Sequence, residues 1–261
     1  MTLTNNAGNY AVVNGLKMYY EVHGEGFPLV LIHGGGSDIY VTFGRVLHLF
    51  AQKHQVIAVD LQAHGRTPDR GAPTSFEQDA DDIAALLKSL DIKQADVLGF
   101  SNGGNTAMQL AIRHPQLVHK IVIASSFYKR SGFFPGFWDF MQSGSLDTMP
   151  QFLKDAFLAI NNDPEALQTM YNRDRDRMLI FEDWNDDAIR SINMPALVIA
   201  GDKDVISPEH SLELYRMLPN AQLCILPAGH GDYIGDIDEM VGEKEYPAVA
   251  IIEGFLTEVK A

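Results

Sequence analysis

Residues 97–105 read Val97-Leu-Gly-Phe-Ser-Asn-Gly-Gly-Asn105 (VLGFSNGGN), with one serine among three glycines. An apolar run precedes the serine, and a segment with a helical pattern follows it. A G-x-S-x-G sequence between a strand and a helix is typical of a turn so sharp that the serine backbone is strained and its neighbours must be small. The stretch therefore predicts that Ser101 stands at the end of a strand, with the N-terminus of the next helix aimed at its hydroxyl.

Apolar runs of strand length recur along the chain, at residues 29–32, 56–59, 96–98, 121–124, 196–200 and 223–226. Near-continuous runs are typical of parallel strands that are covered on both faces. Helical patterns lie between them, with start signals at Ser75-Phe-Glu-Gln78, a capping-box pattern, at Ser207-Pro208 and at Pro247. The alternation predicts a doubly wound α/β sheet. Residues 10–23, with a turn at Asn14-Gly15, predict an antiparallel hairpin at its edge.

Residues from about 127 to 190 break this alternation, because they carry aromatic and methionine side chains but no convincing core strand. They predict a helical lid, residues 127–190, inserted into a core domain of residues 1–126 and 191–261. Phe133, Phe137 and Trp138 are candidates for an apolar substrate pocket in this lid. The same side chains would also serve simply to pack a helical lid.

The composition excludes several classes of protein. The chain of 261 residues has 34 acidic and 20 basic residues and a net charge of -14, which disfavours nucleic acid and anionic membranes as partners. The first fifteen residues lack the pattern of a secretory signal, and no later run is long enough to span a membrane. A soluble, cytoplasmic protein acting on a small molecule is expected, with no indication of its oligomeric state. The single cysteine, Cys224, excludes an internal disulfide and is predicted to be a buried strand thiol rather than a nucleophile.

A serine hydroxyl becomes a useful nucleophile only when a base removes its proton, so Ser101 predicts partners elsewhere. His230 follows the last apolar run in a glycine-flanked loop and is the candidate base. Two carboxylates follow the preceding run. Asp204 is predicted to orient the imidazole, and Asp202, next to a glycine, is predicted to bond the loop backbone.

A fourth motif, His33-Gly34-Gly35-Gly36, follows the strand run at 29–32. Consecutive glycines leave backbone N–H groups unobstructed, and together with the N–H of Asn102 they can bind the oxyanion of a tetrahedral intermediate. His33 and Gly34 are also candidates for the substrate pocket. An alternative for His33 is a hydrogen bond to the loop backbone.

These four motifs, in this chain order, resemble those of the α/β-hydrolase superfamily, and the resemblance extends from about residue 10 to residue 260. It implies an eight-stranded, mostly parallel sheet with helices on both faces and a lid after the sixth strand. It also implies the catalytic residues Ser101, Asp204 and His230, with backbone N–H groups of Gly35 and Asn102 as oxyanion donors.

The loop at residues 59–67, Val59-Asp-Leu-Gln-Ala-His-Gly-Arg-Thr67, is similar to the superfamily's D-x-x-G-x-G-x-S loop. It departs from that pattern at two positions, because Ala63 stands for the first glycine and Thr67 for the serine.

The resemblance implies a carboxylesterase-like serine hydrolase that cleaves an ester or related carbonyl bond of a small to medium, apolar substrate through an acyl-enzyme. A serine at the elbow argues against dehalogenases and epoxide hydrolases, which use aspartate there. Two alternatives stay open: a hydrolase of carbon–carbon bonds in diketones, and a protein that binds a hydrophobic ligand with little turnover.

Neither a metal nor a cofactor is expected. Asp232, Asp236 and Asp238 lack the spacing of a calcium loop, which favours a solvated acidic face. Gly24-Glu-Gly26 lacks the third glycine of a dinucleotide fingerprint, so no nicotinamide site is predicted.

Overall fold

An eight-stranded sheet forms the centre of the computed structural model, which describes residues 8–235 and 246–258. The strands are β1 (Asn9–Val13), β2 (Leu16–His23), β3 (Phe27–Ile32), β4 (His54–Val59), β5 (Ala95–Phe100), β6 (Val118–Ala124), β7 (Ala196–Gly201) and β8 (Ala221–Leu226). Their order is β1-β2-β4-β3-β5-β6-β7-β8. Strands β3 to β8 pair in parallel, which confirms the mostly parallel sheet that the apolar runs predict.

Helices cover both faces of the sheet, and every residue of β5 and β7 is buried beneath them. The helices are α1 (Ile39–Phe43), α2 (Leu47–Phe50), α3 (Phe76–Ser89), α4 (Asn102–Arg113), α5 (Phe137–Ser143), α6 (Gln151–Asn161), α7 (Pro164–Leu179), α8 (Asp186–Arg190), α9 (Pro208–Met217) and α10 (Pro247–Thr257). Ile83 of α3 and Met108 of α4 belong to the core on one face, and Phe43 of α1 and Ile252 of α10 to the core on the other. In the part of the chain that the structure describes, no helix combines the length and apolarity needed to cross a membrane.

The predicted hairpin is present at the sheet edge, where β1 pairs only with β2 among the described strands. Its turn residues Asn14 and Gly15 have φ angles of 46° and 81°. Two consecutive positive φ angles match the twist of a two-residue hairpin, which explains why asparagine and glycine stand there.

The helix start signals are confirmed, with one correction. Ser207 caps α9 by accepting a hydrogen bond from the N–H of His210, and α10 begins at Pro247. The Ser75 side chain likewise accepts from the N–H of Gln78. The capping box is incomplete, because the Gln78 side chain donates instead to Asp82 on its own helix.

The chain between β6 and β7 holds α5 to α8 and, over residues 127–190, all of which the structure describes, no strand of the sheet. Aromatic side chains such as Phe127, Phe133 and Phe181 form one apolar cluster there, and Met149, Phe157 and Met170 belong to a second. The helical character expected of this segment is confirmed. Its division from the core as a separate lid stays a prediction.

The thiol of Cys224 and the expected acidic face are the two remaining predictions about particular side chains. Cys224 is only partly buried, because β8 is an edge strand, so the prediction of a buried thiol is wrong in degree. Asp236 and Asp238 of the expected acidic face lie outside the described residues, whereas Asp232 is exposed and accepts a hydrogen bond from the N–H of Gly229.

Candidate active site

The sharp turn predicted at Ser101 joins β5 to α4. Ser101 has φ 53° and ψ −123°, a conformation that costs a non-glycine residue about 1–3 kcal/mol and persists only where its surroundings enforce it. A Cβ atom on Gly99 would lie 2.1 Å from the carbonyl oxygen of Gly103, and one on Gly103 would lie 2.2 Å from that of Ile32. The two glycines of the motif are therefore required by close backbone packing around the strained serine.

Polar side chains follow four neighbouring parallel strands at the carboxyl edge of the sheet. Ser101 follows β5, Ser125 follows β6, Asp204 follows β7 and His230 follows β8. This edge is where ligands bind in open α/β sheets.

The structure brings Ser101, His230 and Asp204 into one hydrogen-bonded chain. His230 Nε2 lies 3.1 Å from Ser101 Oγ, and His230 Nδ1 lies 2.6 Å from Asp204 Oδ1. Because the carboxylate can only accept, it places the imidazole proton on Nδ1 and leaves Nε2 as the acceptor for the serine hydroxyl. The Asp204 side chain is fully buried, whereas that of His230 is 27% exposed, so the base reaches both the buried acid and the open side of the site.

The Asp204 carboxylate has further donors around it. The N–H groups of Gly201 and Ile206 lie 3.3 and 3.2 Å from its oxygens, and the hydroxyl of Ser125 donates to Oδ2. Burial by itself would raise the pKa of Asp204, but the hydrogen bond and charge of His230, followed by the Ser125 hydrogen bond, hold the pKa below its usual range. Asp204 is therefore ionised beside the imidazole.

Sequence reasoning missed Ser125 and its neighbour Tyr233. Ser125 has φ 50°, and its Oγ lies 2.5 Å from Tyr233 Oη in addition to its bond with Asp204. A signal was available for Ser125, since it directly follows the apolar run 121–124 at the carboxyl edge of the sheet. Nothing in the sequence around Tyr233 links it to Asp204, 29 positions earlier.

Asp202, the competing carboxylate, has the other predicted task. Its Oδ1 accepts a hydrogen bond of 3.0 Å from the backbone N–H of Ala228. It therefore ties two loops together and does not contact the imidazole through any hydrogen bond found among the described residues.

Gly35 and Asn102 both face the space above Ser101. A Cβ atom on Gly35 would lie 2.4 Å from Asn102 Nδ2. The glycine loop, residues 33–36, therefore packs directly against the first residue of α4. The first N–H groups of a helix have no acceptor within the helix and are suited to binding a negative charge. Gly35 and Asn102 therefore lie beside Ser101 at the cavity, and their role as oxyanion donors stays a prediction.

His33 and Gly34, both candidates for the substrate pocket, do not line the cavity, and His33 instead fits the alternative stated for it, a hydrogen bond to the loop backbone. His33 is fully buried, with Nδ1 2.7 Å from the carbonyl oxygen of Gly34 and Nε2 accepting from the N–H of Leu61. Burial, and then the charge of His64, lower the pKa of His33 to about 3, so it is a neutral brace for the loop. Gly34 packs against the Phe100 ring, where a Cβ atom would come within 3.1 Å.

A cavity of about 290 Å³ opens onto Ser101 and His230. Apolar side chains make up most of its lining: Phe127, Phe133, Phe137, Phe140, Met141, Met149, Pro150, Leu153, Met170, Met178, Val205 and Ile206. Phe133 and Phe137 thus line the cavity as predicted, but Trp138 does not. The Trp138 indole N–H donates to the carbonyl oxygen of Arg130, and the Arg130 guanidinium lies 3.6 Å from the centre of its ring. Trp138 therefore packs this segment instead of facing the site.

The loop at residues 59–67 contacts the glycine motif of residues 33–36, because the N–H of Leu61 donates to His33 Nε2. Asp60 accepts hydrogen bonds from the N–H groups of Ile39 and Arg66, and the Thr67 hydroxyl donates to the carbonyl oxygen of Asp60. Ala63, at the position of the pattern's first glycine, has φ 66°. The loop therefore keeps a left-handed residue there despite the missing glycine.

Residues 28–175, more than half of the chain, match a family model described as the alpha/beta hydrolase fold. The chain belongs to this family. Among residues 8–235 and 246–258 of this α/β hydrolase, no three His, Cys, Asp or Glu side chains are grouped as a metal site would require.

This α/β hydrolase is similar to three proteins of known name. A 2-hydroxymuconate semialdehyde hydrolase of Pseudomonas sp. (strain CF600) is 34% identical over 123 residues, which cover 46% of this chain and only 43% of that protein. The human serine hydrolase BPHL is 29% identical over 255 residues, covering 87% of this chain and 81% of the relative. A solved meta-cleavage product hydrolase, CumD from Pseudomonas fluorescens IP01, has a TM-score of 0.78 at 21% identity, over 95% of this chain and 97% of its own. This structural likeness shows the shared fold.

Proposed function

We propose that this α/β hydrolase cleaves esters of small to medium, apolar carboxylic acids through an acyl-enzyme. The observation that supports this most directly is the hydrogen-bonded chain from Asp204 through His230 to Ser101, which ends in an apolar cavity. A nucleophile, a base and an orienting carboxylate in this arrangement are the parts that acyl transfer requires.

In the proposed mechanism, His230 Nε2 takes the proton of Ser101 as Oγ attacks the ester carbonyl carbon. The carbonyl oxygen becomes an oxyanion and accepts from the N–H groups of Gly35 and Asn102. The intermediate collapses, His230 gives its proton to the departing alkoxide, and an alcohol leaves. His230 then removes a proton from water, whose oxygen attacks the acyl carbon and releases the acid and a restored Ser101.

The cavity supports the choice of substrate class. Its volume, about 290 Å³, is at the lower end of the range for ligand pockets, which is ~300–1,000 Å³. Its phenylalanine and methionine lining favours a compact acyl or aryl group over a long or charged chain. Among the described lining residues, Arg175 is the one guanidinium, and it already pairs with Asp176 at 2.9 Å.

Cleavage of a carbon–carbon bond is a second candidate, favoured by one observation. The Pseudomonas relative that is 34% identical over part of its length is named as a hydrolase of 2-hydroxymuconate semialdehyde. 2-Hydroxymuconate semialdehyde contains no ester, so its hydrolysis must break a carbon–carbon bond. For a carboxylate-bearing substrate of that kind, Arg175 is the one guanidinium that the described lining offers.

A direct competition between substrates tests the proposal. We expect kcat/KM for a phenyl or p-nitrophenyl ester of a short acid to exceed that for a carboxylated vinylogous diketone by about 100-fold, a difference of ~2.7 kcal/mol in transition-state stabilisation. Both substrates are followed by absorbance on the same enzyme preparation. A preference for the diketone would replace ester hydrolysis by carbon–carbon cleavage. Turnover of neither, together with a ligand-induced rise in Tm, would favour the binding protein.

Ser125→Ala should slow ester hydrolysis and move its pH dependence. Without the Ser125 hydroxyl the Asp204 carboxylate keeps its two backbone donors but is less stabilised, so it favours imidazolium and raises the pKa of His230. The imidazole acts as a base only when it is neutral, so activity increases as the pH passes through the pKa of His230. In the Ser125→Ala variant this increase should occur at a higher pH. We expect kcat/KM at neutral pH to fall about 10-fold, as for a lost hydrogen bond to a charged group.

Ser211→Ala is the matched control, because Ser211 is equally buried and, among the described residues, its hydroxyl bonds only the carbonyl oxygen of Ser207, which caps α9. Its pH profile should coincide with that of the wild type. A Ser125→Ala profile that also coincides would contradict the assigned role.

A further inference from the structure

Helix α7 faces the core with a buried row of charged side chains outside the hydrogen-bonded chain of Ser101, His230 and Asp204. Asp174 Oδ2 lies 2.9 Å from His64 Nε2, and Asp174 Oδ1 lies 2.5 Å from Arg177 Nη2. Arg177 Nη1 in turn lies 2.8 Å from Asp79 Oδ2 on α3. The row therefore joins α7 to the core loop that holds His64 and to helix α3.

The charges in this row compensate one another. Burial would raise the pKa of Asp174, but the charges of His64 and Arg177 hold it far below its usual range. Burial would lower the pKa of His64, and Asp174 raises it instead. Buried ions persist when they are paired and hydrogen-bonded in this way. Both ring nitrogens of His64 face acceptors, the carbonyl oxygen of Gln62 and Asp174 Oδ2, so each carries a proton and Asp174 is a carboxylate held between two cations.

Asp174 has one more contact, and it is with the glycine loop of residues 33–36. Its Oδ2 accepts a 2.6 Å hydrogen bond from the backbone N–H of Gly36. A Cβ atom on Gly35 would lie 3.0 Å from the same oxygen and 2.4 Å from Asn102 Nδ2. Gly35 is therefore clamped between Asp174 on one side and the start of α4 on the other.

Asp174 differs from its neighbours in the row in what it contacts. Asp79 and Arg177 serve to dock α7 on the core, and the structure gives neither of them a hydrogen bond to the glycine loop. Asp174 alone in this described row bonds a residue adjacent to Gly35. The same helix supplies Met170 and Met178 to the cavity wall. One side chain, Asp174, therefore takes part both in the packing of α7 over the cavity and in holding the glycine loop.

We propose that Asp174 is a positioning residue for the glycine loop. Its carboxylate, supplied by helix α7, accepts from the Gly36 N–H, and this bond fixes the Gly35 N–H in the orientation that receives the oxyanion. This inference rests on the proposed acyl-transfer function. The carboxylate acts through the Gly36 peptide, and its charge is neutralised by His64 and Arg177, so it does not oppose the negative charge that forms on the substrate.

Steady-state kinetics of three variants test the proposal. Oxyanion contacts strengthen only in the transition state, so Asp174→Leu should lower kcat by about 100-fold with KM nearly unchanged, as for a misplaced oxyanion donor. Asp174→Asn keeps an oxygen that can accept from Gly36 and should stay within about 10-fold of the wild type. Asp79→Asn is the matched control, because it removes the other carboxylate of Arg177 without touching the glycine loop, and its kcat should be nearly unchanged.

The rate of Ser101 phosphonylation by a fluorophosphonate is measured on the same variants, because it also builds negative charge on an oxygen in this site and needs no natural substrate. The melting temperature of each variant identifies losses that come from unfolding. An equal loss of kcat in Asp79→Asn and Asp174→Leu, or a rise in KM at constant kcat, would overturn the positioning role and leave only helix docking. A folded wild type that neither turns over esters nor reacts with the probe would instead overturn the proposed function, and this inference with it.

Discussion

Ser101→Ala is expected to lower kcat for ester hydrolysis by about 10⁶-fold, the scale on which serine hydrolases lose activity when the nucleophile is removed. The methyl group cannot attack the carbonyl carbon, and the substitution removes the hydroxyl that lies 3.1 Å from His230 Nε2. The same substitution should abolish labelling by a fluorophosphonate, seen by intact-mass measurement as the loss of a single adduct. The fold should be retained, because alanine accepts the turn no worse than serine.

His230→Ala should remove labelling and turnover to a similar extent, since a hydroxyl without a base is a poor nucleophile. The control is His119→Ala. His119 forms a pair with Asp96 at 2.8 Å, nearly as short as the His230 pair, but the pair lies at the other end of β5 from Ser101. Labelling that survives in Ser101→Ala would show that the reactive residue is another one.

Much of the fold could be predicted because its local requirements leave marks in the sequence. Strands buried on both faces need continuous apolar runs, which is why β3 and β7 are visible as Leu29–Ile32 and Ala196–Ala200. The two-residue hairpin turn needs positive φ angles and so selects asparagine and glycine. The strained serine needs Gly99 and Gly103, since any side chain there would strike backbone atoms.

The parts of the site that escaped prediction depend on contacts between distant positions. Asp174 contacts Gly36 across 138 positions of the chain, and no local pattern distinguishes it from the other acidic residues of α7. The sequence offers both Phe137 and Trp138 either to the pocket or to lid packing, but adjacent residues on a helix point in directions about 100° apart, and only Phe137 lines the cavity.

The same limit explains why the sequence leaves two alternatives open for His33. Its position beside three glycines is that of a residue near the reaction, but both its ring nitrogens bond the backbone. A histidine in a glycine loop can brace the loop or enter the site, and the sequence is the same in both cases. Only the packing of Leu61 and Gly34 around the ring decides between them.

Asp204→Asn is expected to lower kcat by up to ~10⁴-fold, because the amide changes which nitrogen of His230 carries the proton. An asparagine amide group donates to Nδ1, so the proton moves to Nε2, which then cannot accept from Ser101. Asp202→Asn should be close to the wild type, since an amide oxygen can still accept from the N–H of Ala228. Single-turnover and steady-state rates on a p-nitrophenyl ester measure both variants.

The two aspartates form an internal comparison, because they lie two residues apart in the same loop and their exchange for asparagine alters size very little. Instability of the loop would affect both variants, whereas loss of the correct tautomer affects only the residue that bonds Nδ1. A larger loss in Asp202→Asn would therefore mean that the acid is Asp202 and that the loop rearranges in the working enzyme. A large loss of kcat in Asp204→Asn alone, with Tm unchanged, would show that the Asp204 carboxylate orients His230.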